Sequence, residues 1–472
     1  MSIKAGFKKL KGNFTGDVVS SFANNIWTII RGPVTLLILI PLFLSDEAQG
    51  YWFTFGSLAA LSTFADLGFT TIVSQFSAHE YSHLNFNSAG VLEGDSKHLD
   101  RIASLFRFIV KWAGVVTLVG FPVIMIIGGV VLNTHGNHAE WLVPWILYAF
   151  GSGGNFFIGS VLSFFEGCNQ VGKIQRNRLV GSIVITLSTW IMLILNFGLY
   201  TLAISAVLGV VTNLTLLIIR FRKVLFQLIK RKAEAVYTWF REFMSLLWKY
   251  AISWGSGYFA FQIYTPIAYM VYDPIMAGKV GITMTLIQAC FTIANVWIQV
   301  ATPKVNIGVS LQKWQDTERL VKKNMLLAVA TFLLGATAIL GGYALFVGRT
   351  SILQKFLGLT PMAILLGAYF ANIFVTAIAV YGRAHKTEPF VIHSLITCLS
   401  SALLTVGLVF LLPIDYMFAG FLVSNTIALL FFYRTYKTKK EKWHEFYVGK
   451  YCKADENSDA NETKEELKEQ NQ

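Results

Sequence analysis

The sequence predicts an all-α integral membrane protein with about twelve transmembrane helices in two parallel six-helix lobes around a central cavity. Hydrophobic residues make up 54% of the chain and charged residues only 14%, and the mean hydropathy is +0.56. This composition is typical of a polytopic membrane protein and not of a soluble globule. Apolar runs long enough to cross a bilayer recur to near residue 433, and several positions match between the two halves of the chain.

Each predicted span contains close to the roughly 20 mostly apolar residues that a transmembrane helix needs. The loops between spans are short on one side of the membrane, so no large domain fits there. The predicted spans are 18–44, 51–78, 108–132, 141–165, 179–196, 199–219, 247–271, 281–303, 324–348, 362–382, 390–412 and 415–433.

The distribution of basic residues predicts the orientation. Of the 39 Lys and Arg residues, only Lys279, Arg349 and Lys355 fall in loops on the side opposite the N-terminus. The positive-inside rule therefore predicts a multi-pass protein of the cell inner membrane with both termini in the cytoplasm. The net charge of +13 is a signal of topology, so no nucleic-acid partner is expected. Four cysteines without a CxxC pair argue against a disulfide framework or a zinc ribbon.

We expect five segments: a basic cytoplasmic N-terminus (1–17), an N-terminal six-helix lobe (18–219), a basic linker (220–246), a C-terminal six-helix lobe (247–433) and a cytoplasmic tail (434–472). The linker begins with RFRKVLFQLIKRK, which suits either contact with anionic lipid or lipid pyrophosphate, or plain positive-inside flanking. The end of the tail is acidic and polar and lacks aromatic residues, so it is predicted to be disordered.

The two lobes share a polar layout at an offset of 225 residues. Spans one and seven start on the same side, which makes the repeats parallel, and transporters place their substrate between such repeats. The matching pairs are Thr28 with Ser253, Gly32 with Gly257, Pro41 with Pro266, Thr70 with Asn295, Ser74 with Gln299, and Ser77 with Thr302.

Two full charges, Arg31 and Asp66, lie inside the first two predicted spans. A charge at the centre of a bilayer costs roughly 2.5 to 3.5 kcal/mol on insertion scales, so each needs a partner or a water-filled cavity. At the same offset the second half has Ser256 and Phe291, so the ionic groups are confined to the first half. A purely structural ion pair is the alternative interpretation.

Polar residues recur every three or four positions in the second and eighth spans and therefore share one helix face in each. Polar side chains can also join helices to one another, which is the alternative for the Ser and Thr residues. The predicted cavity residues are Asn24, Asn25, Thr28, Arg31, Asp66, Thr70, Ser74, Gln288, Asn295 and Gln299, with Asp66 also a candidate for a coupling ion.

The Arg-bearing first span, the stretch SDEAQGYWFTFGSLAALSTFADLGFTTIVSQFSAHE and the later FFEGCNQVGKIQRNRL resemble O-antigen and polysaccharide flippases of the multidrug/oligosaccharidyl-lipid/polysaccharide exporter superfamily. The resemblance implies a flippase that turns an undecaprenyl-diphosphate-linked oligosaccharide from the inner to the outer leaflet by alternating access, for O-antigen, lipopolysaccharide or other surface polysaccharide biosynthesis. On this basis Arg31 contacts the pyrophosphate, and Asp66 orients Arg31 or binds a coupling cation. Besides membrane lipids, a polysaccharide polymerase and chain-length proteins are candidate partners, and no cofactor or metal is expected.

Three other functions fit parts of the sequence. A drug/cation antiporter of the same superfamily would use the single acid at mid-membrane, Asp66. An intramembrane zinc metalloprotease would use His79-Glu80-x-x-His83, which matches a zinc-binding pattern but lacks an evident third ligand. A membrane scaffold without transport activity would leave the two buried charges unexplained. We therefore expect a transporter and not an enzyme.

Overall fold

The structure is a computed structural model. It describes residues 27, 31–32, 34–87, 90–135, 138–231, 238–244, 247, 258–259, 261–350, 352–385 and 390–447. The backbone forms two compact units, a first unit of Met1–Thr285 and a second unit of Leu286–Gln472. The predicted lobe boundaries stay a prediction.

The first unit consists of helices and one short hairpin, and its last helix continues into the second unit. Its elements are α1 (Val34–Phe43), α2 (Asp46–Ala59), α3 (Ser62–Asp66), α4 (Phe69–Tyr81), β1 (Leu84–Phe86), β2 (Leu92–Gly94), α5 (Ser96–Leu132), α6 (His138–Gly167), α7 (Val171–Ile194), α8 (Tyr200–Lys230), α9 (Tyr264–Val271) and α10 (Pro274–Ser310).

The second unit continues with four long helices: α11 (Trp314–Phe346), α12 (Leu359–Ala384), α13 (Val391–Leu411) and α14 (Ala419–Tyr447). Helix α14 packs along both α12 and α13. Along α14, the Phe432 ring stacks on Phe390, the residue before α13, at 4.3 Å, Trp443 meets Phe390 edge to face, and Tyr436 meets Tyr381 of α12 edge to face. Aromatic burial of this kind holds the three helices together.

The predicted fold class is confirmed: the protein is an all-α, multi-pass membrane protein. Within the described residues, nine helices are long and apolar enough to cross a membrane, and α2 to α4 together form a tenth span bent by 40°. These ten coincide with ten of the predicted spans. The other two predicted spans, 18–44 and 247–271, are only partly described, at 14 of 27 and 14 of 25 residues, and neither forms one of the ten spans.

The bent span differs from the expectation of one continuous helix over 51–78. It starts earlier, at Asp46, where the Ser45 hydroxyl accepts a hydrogen bond from the Ala48 amide and caps the helix. It breaks after Asp66, because Leu67 and Gly68 both adopt left-handed backbone conformations, with φ of 44° and 80°. Two such residues in succession cannot continue a right-handed helix.

Helix α4 is fixed against α6 by close backbone approach. A Cβ atom added at Gly167 would lie 2.3 Å from the Ser74 carbonyl oxygen, so only glycine fits there. The buried side chains of Phe69, Ile72 and Val73 extend this contact into the core of the first unit. The half-helix after the break is therefore held rigidly by its neighbours.

Candidate functional site

The acid predicted inside the membrane lies at the break in the second span. Asp66 is the last residue of α3, and its carboxylate accepts hydrogen bonds from the Thr70 amide at 3.0 Å and the Thr70 hydroxyl at 3.1 Å. The Thr70 amide belongs to the first turn of α4, where backbone amides lack a partner within the helix. The carboxylate therefore satisfies a free amide at a helix end that favours negative charge.

Asp66 also lines a cavity of about 640 Å³ within the first unit. Helices α2, α3, α6, α7 and α8 contribute its walls, so it lies inside one helical unit. Apolar residues cover part of the surface and polar residues the rest. The lining residues are Trp52, Gly56, Ala59, Ala60, Ser62, Thr63, Asp66, Tyr148, Ser152, Asn155, Phe156, Ile185, Thr189, Leu202, Ser205 and Ala206.

Three polar side chains of the cavity wall donate to backbone carbonyls of their own helices, so their oxygens are left to accept. The Ser152 hydroxyl donates to the Tyr148 carbonyl at 2.9 Å, and the Thr189 hydroxyl donates to the Ile185 carbonyl at 2.7 Å. The Asn155 amide nitrogen donates to the Gly151 carbonyl at 3.1 Å, which leaves the amide oxygen as an acceptor. A carboxylate with hydroxyl and amide oxygens suits a small hard cation or a proton.

Arg31 is half-buried, and its backbone carbonyl accepts a hydrogen bond from a neighbouring side chain. The Thr35 hydroxyl donates to the Arg31 carbonyl at 2.8 Å and accepts from the Trp190 indole at 2.7 Å, which ties this segment to α7. Among the described residues, no ion pair joins Arg31 to Asp66. The structure thus shows neither a structural ion pair nor an orienting contact between the two charges.

The other predicted cavity residues are distributed more widely. Ser74 is half-buried on α4, beyond Thr70. Gln288 and Gln299 are exposed on α10 and Asn295 is half-buried, and none of the three lines the cavity around Asp66. The last predicted residues, Asn24, Asn25 and Thr28, lie outside the described residues.

Several cavity residues were not predicted from the sequence. Tyr148, Ser152 and Asn155 follow one another at intervals of four and three on α6, a spacing that places them on one helix face. This spacing was the sequence signal from which the three residues could have been predicted to line a cavity. Thr189 follows Ser182 and Thr186 on α7 at intervals of four and three, and Ser205 follows Thr201 on α8 by four, so a comparable spacing was present in both helices.

The zinc-site pattern forms an ion-pair cluster instead. Glu80 is buried, and its carboxylate accepts from the Arg101 guanidinium at 2.8 Å and lies 3.2 Å from His98 Nδ1. His79 is exposed, and the His83 ring stacks on His98 at 4.0 Å. Within the described part of the chain, no group of three His, Cys, Asp or Glu residues is arranged to hold a metal ion. The alternative of a metalloprotease is not supported.

Comparison with known proteins identifies the fold. No protein-family model matches the sequence, and a search of curated proteins found no match. Among solved structures, an inward-facing multidrug resistance MATE family transporter of the MOP superfamily is similar, with a TM-score of 0.57 and 12% identity over 90% of this chain and 99% of that one. The lipid II flippase MurJ in an inward closed conformation has a TM-score of 0.55 and 11% identity, covering 89% of this chain and 87% of its own.

A third similar structure is an outward-facing MATE family transporter, with a TM-score of 0.51 and 13% identity over 91% of this chain and 96% of that one. These neighbours are transporters, not enzymes. At such low identity the similarity establishes the fold: the chain has the fold that MATE transporters and MurJ share.

Proposed function

We propose that this membrane protein flips an undecaprenyl-diphosphate-linked oligosaccharide from the inner to the outer leaflet of the cell inner membrane, driven by a cation that binds at Asp66. The observation that carries the proposal is a carboxylate at a helix break facing a cavity walled by oxygen acceptors. Broken helices around a membrane-embedded site are a recurring feature of transporters that use alternating access. Rocking of the two predicted lobes would supply the motion.

The chemistry of a lipid-linked sugar explains why the remaining polar residues are present. Moving a sugar pyrophosphate through hydrocarbon would strip its hydration at a prohibitive cost. Arg31 is half-buried without an acidic partner among the described residues, so its charge is available to a pyrophosphate. Gln288 and Gln299 are exposed on α10 and are available to sugar hydroxyls. The polyprenyl chain would stay in the lipid.

The substrate class rests on two supports. The sequence resembles polysaccharide flippases, and one neighbour of the fold is itself a lipid II flippase. Both substrates join an apolar polyprenyl chain to a pyrophosphate and sugars. A polysaccharide polymerase and chain-length proteins are the partners that such an activity implies.

A flipping assay in proteoliposomes tests this function with undecaprenyl-diphosphate-linked oligosaccharide. We expect the wild-type chain to flip the lipid and Arg31→Ala to abolish flipping, because the pyrophosphate loses its cation. Arg434→Ala is the matched control, since Arg434 is an exposed basic residue of α14 that does not line the cavity. Full activity of the Arg31 variant would remove the assigned role.

A drug/cation antiporter is the second candidate, because the cavity holds an acid and acceptor oxygens that also suit an organic cation. The same vesicles distinguish the two functions. Transport of a lipophilic cation such as ethidium, without flipping of the lipid-linked oligosaccharide, would favour the antiporter and contradict our proposal.

A further inference from the structure

A second cavity, of about 760 Å³, lies within the second unit as a groove between α11, α12 and α14. Its size is within the roughly 300 to 1,000 Å³ of pockets that hold drug-sized ligands. We call it the α11–α14 groove. Nothing in the proposed transport activity uses it, since the Asp66 cavity belongs to the first unit.

One end of the α11–α14 groove is basic. Arg319 and Lys322 lie three residues apart on one face of α11. Arg319 lies 3.9 Å from Asp316, but both side chains are more than 70% exposed, at 79% and 75%, so this contact is weak. Lys322 has no ion-pair partner among the described residues. The two cations are therefore available to an anion.

The single acid in the groove does not cancel this charge. Glu318 forms an ion pair with Lys440 of α14 and accepts a hydrogen bond from the Tyr381 hydroxyl at 3.1 Å. A neighbouring depression of about 440 Å³ shares Arg319 and Lys322 and adds Lys323. The basic residues thus border two adjoining depressions, and the net charge at this end is positive.

The other end of the groove is apolar. Met325 continues the face of α11, Ile378 lines the side formed by α12, and Leu430 of α14 is 66% exposed. Between the two ends, Tyr433 is 57% exposed. Polar side chains therefore gather at one end of all three helices, and apolar side chains follow along the groove.

The length of α11 places the basic end at the membrane surface. Its 33 residues span about 50 Å, whereas the hydrocarbon core is about 30 Å thick. All of its charged residues lie within its first ten positions, 314–323, so it is this end whose first two turns or more project beyond the hydrocarbon. Arg319 and Lys322 then lie at the level of the headgroups, and Tyr433 lies where tyrosine is enriched, at the interface.

We propose that the α11–α14 groove binds one acidic phospholipid of the surrounding membrane. Its phosphate contacts Arg319 and Lys322, and one acyl chain lies along Ile378 and Leu430. The match is one of charge and polarity: a negative headgroup meets two available cations, and an apolar chain meets an exposed apolar floor. Basic pockets between transmembrane helices are typical sites for such headgroups.

Lipid counting by native mass spectrometry tests the site. The full chain in detergent is titrated with dioleoylphosphatidylglycerol or dioleoylphosphatidylcholine, and bound lipids are counted. Each basic residue near an anionic surface is worth roughly fivefold in binding. We therefore expect phosphatidylglycerol to be preferred, and Arg319→Gln with Lys322→Gln to lower its affinity roughly 25-fold. Lys437→Gln with Lys439→Gln is the matched control, because these exposed residues of α14 do not line the groove.

A phosphatidylglycerol with a photoreactive acyl chain locates the lipid. We expect it to label the peptides that contain Ile378 and Leu430, and to be competed by unlabelled phosphatidylglycerol. Equal binding of the two phospholipids, the same loss in the control variant, or labelling confined to other helices would overturn the proposal. Displacement of the label by undecaprenyl diphosphate at lower concentrations than by phosphatidylglycerol would also overturn it, because the occupant would then be the transported lipid.

Discussion

The second and eighth predicted spans have the same polar spacing but different backbones. The second span, α2 to α4, is bent by 40° at Leu67 and Gly68, and its polar residue at the break is the acid Asp66. The eighth span lies in α10, one helix of 37 residues that continues even through Pro303. Spacing along a helix therefore predicts which residues share a face, but not whether the helix is continuous.

The difference separates two kinds of chemistry. In the second span the helix break exposes a free amide, and Asp66 both accepts its hydrogen bond and contributes an acidic side chain to the cavity wall. In α10 the Thr292 hydroxyl bonds the Gln288 carbonyl of its own helix, while the Gln288 and Gln299 side chains are exposed. We infer that the broken span handles the coupling cation and the continuous span handles neutral sugar groups.

Among the variants that compare these two spans, the largest effect is expected from Asp66→Asn. Asn caps helices about as well as Asp, so the fold is kept and only the charge is lost. Since coupling between two ligands is typically worth about 1 to 3 kcal/mol, gradient-driven flipping should fall roughly 5- to 150-fold. Asp273→Asn is the control, because Asp273 also accepts from a helix amide, at Met276, but is exposed. Equal rates for the two variants would contradict the role of the charge.

The acceptor oxygens of the cavity should have a smaller effect. Ser152→Ala and Asn155→Leu each remove one acceptor worth about 1 kcal/mol, so the cation concentration for half-maximal flipping should rise roughly fivefold. Ser160→Ala is the control, since Ser160 lies on the same helix, bonds the Phe156 carbonyl and does not line the cavity. Titrating sodium and protons separately identifies the cation; an unchanged midpoint for both would show that α6 does not bind it.

The exposed glutamines of α10 should alter substrate binding and leave the coupling intact. Gln288→Ala or Gln299→Ala removes one hydrogen-bonding group, so the half-saturating substrate concentration should rise by up to roughly fivefold. The ratio of rates with and without a cation gradient should stay at the wild-type value. A change in this ratio would show that α10 also takes part in cation coupling, which would contradict the proposed separation of coupling and sugar binding.

The smallest effect concerns stability. Gly68→Ala places a side chain at φ 80°, which costs about 1 to 2 kcal/mol, and unfolding by sodium dodecyl sulfate should detect it. Gly342→Ala is the control: an added Cβ meets nothing within 4 Å there, and alanine favours the α11 helix by about 0.5 to 1 kcal/mol. Equal stabilities for both variants would mean that the break does not depend on this glycine.

The apolar runs of the sequence located ten of the spans, because the hydrocarbon of a bilayer requires long apolar helices whatever the topology. Asp66 was also identified from the sequence, because a charge within an apolar run is costly in hydrocarbon and therefore indicates a partner or a cavity. The break was missed because Leu67 in a left-handed conformation has no sequence signal, and Gly68 alone is common in membrane helices. Ser152 and Asn155 were missed because their spacing on α6 also fits residues that join helices, and only tertiary packing shows that they face a cavity.

The account depends on Asp66 moving a cation during flipping, and cation flux measured alongside flipping tests this most directly. Proteoliposomes containing the wild-type chain should show proton or sodium movement when undecaprenyl-diphosphate-linked oligosaccharide is supplied on one side. Asp66→Asn should flip the lipid slowly down its own gradient with no accompanying flux, while Asp273→Asn behaves as the wild type. Undiminished flux per flipped lipid in the Asp66 variant would contradict the account.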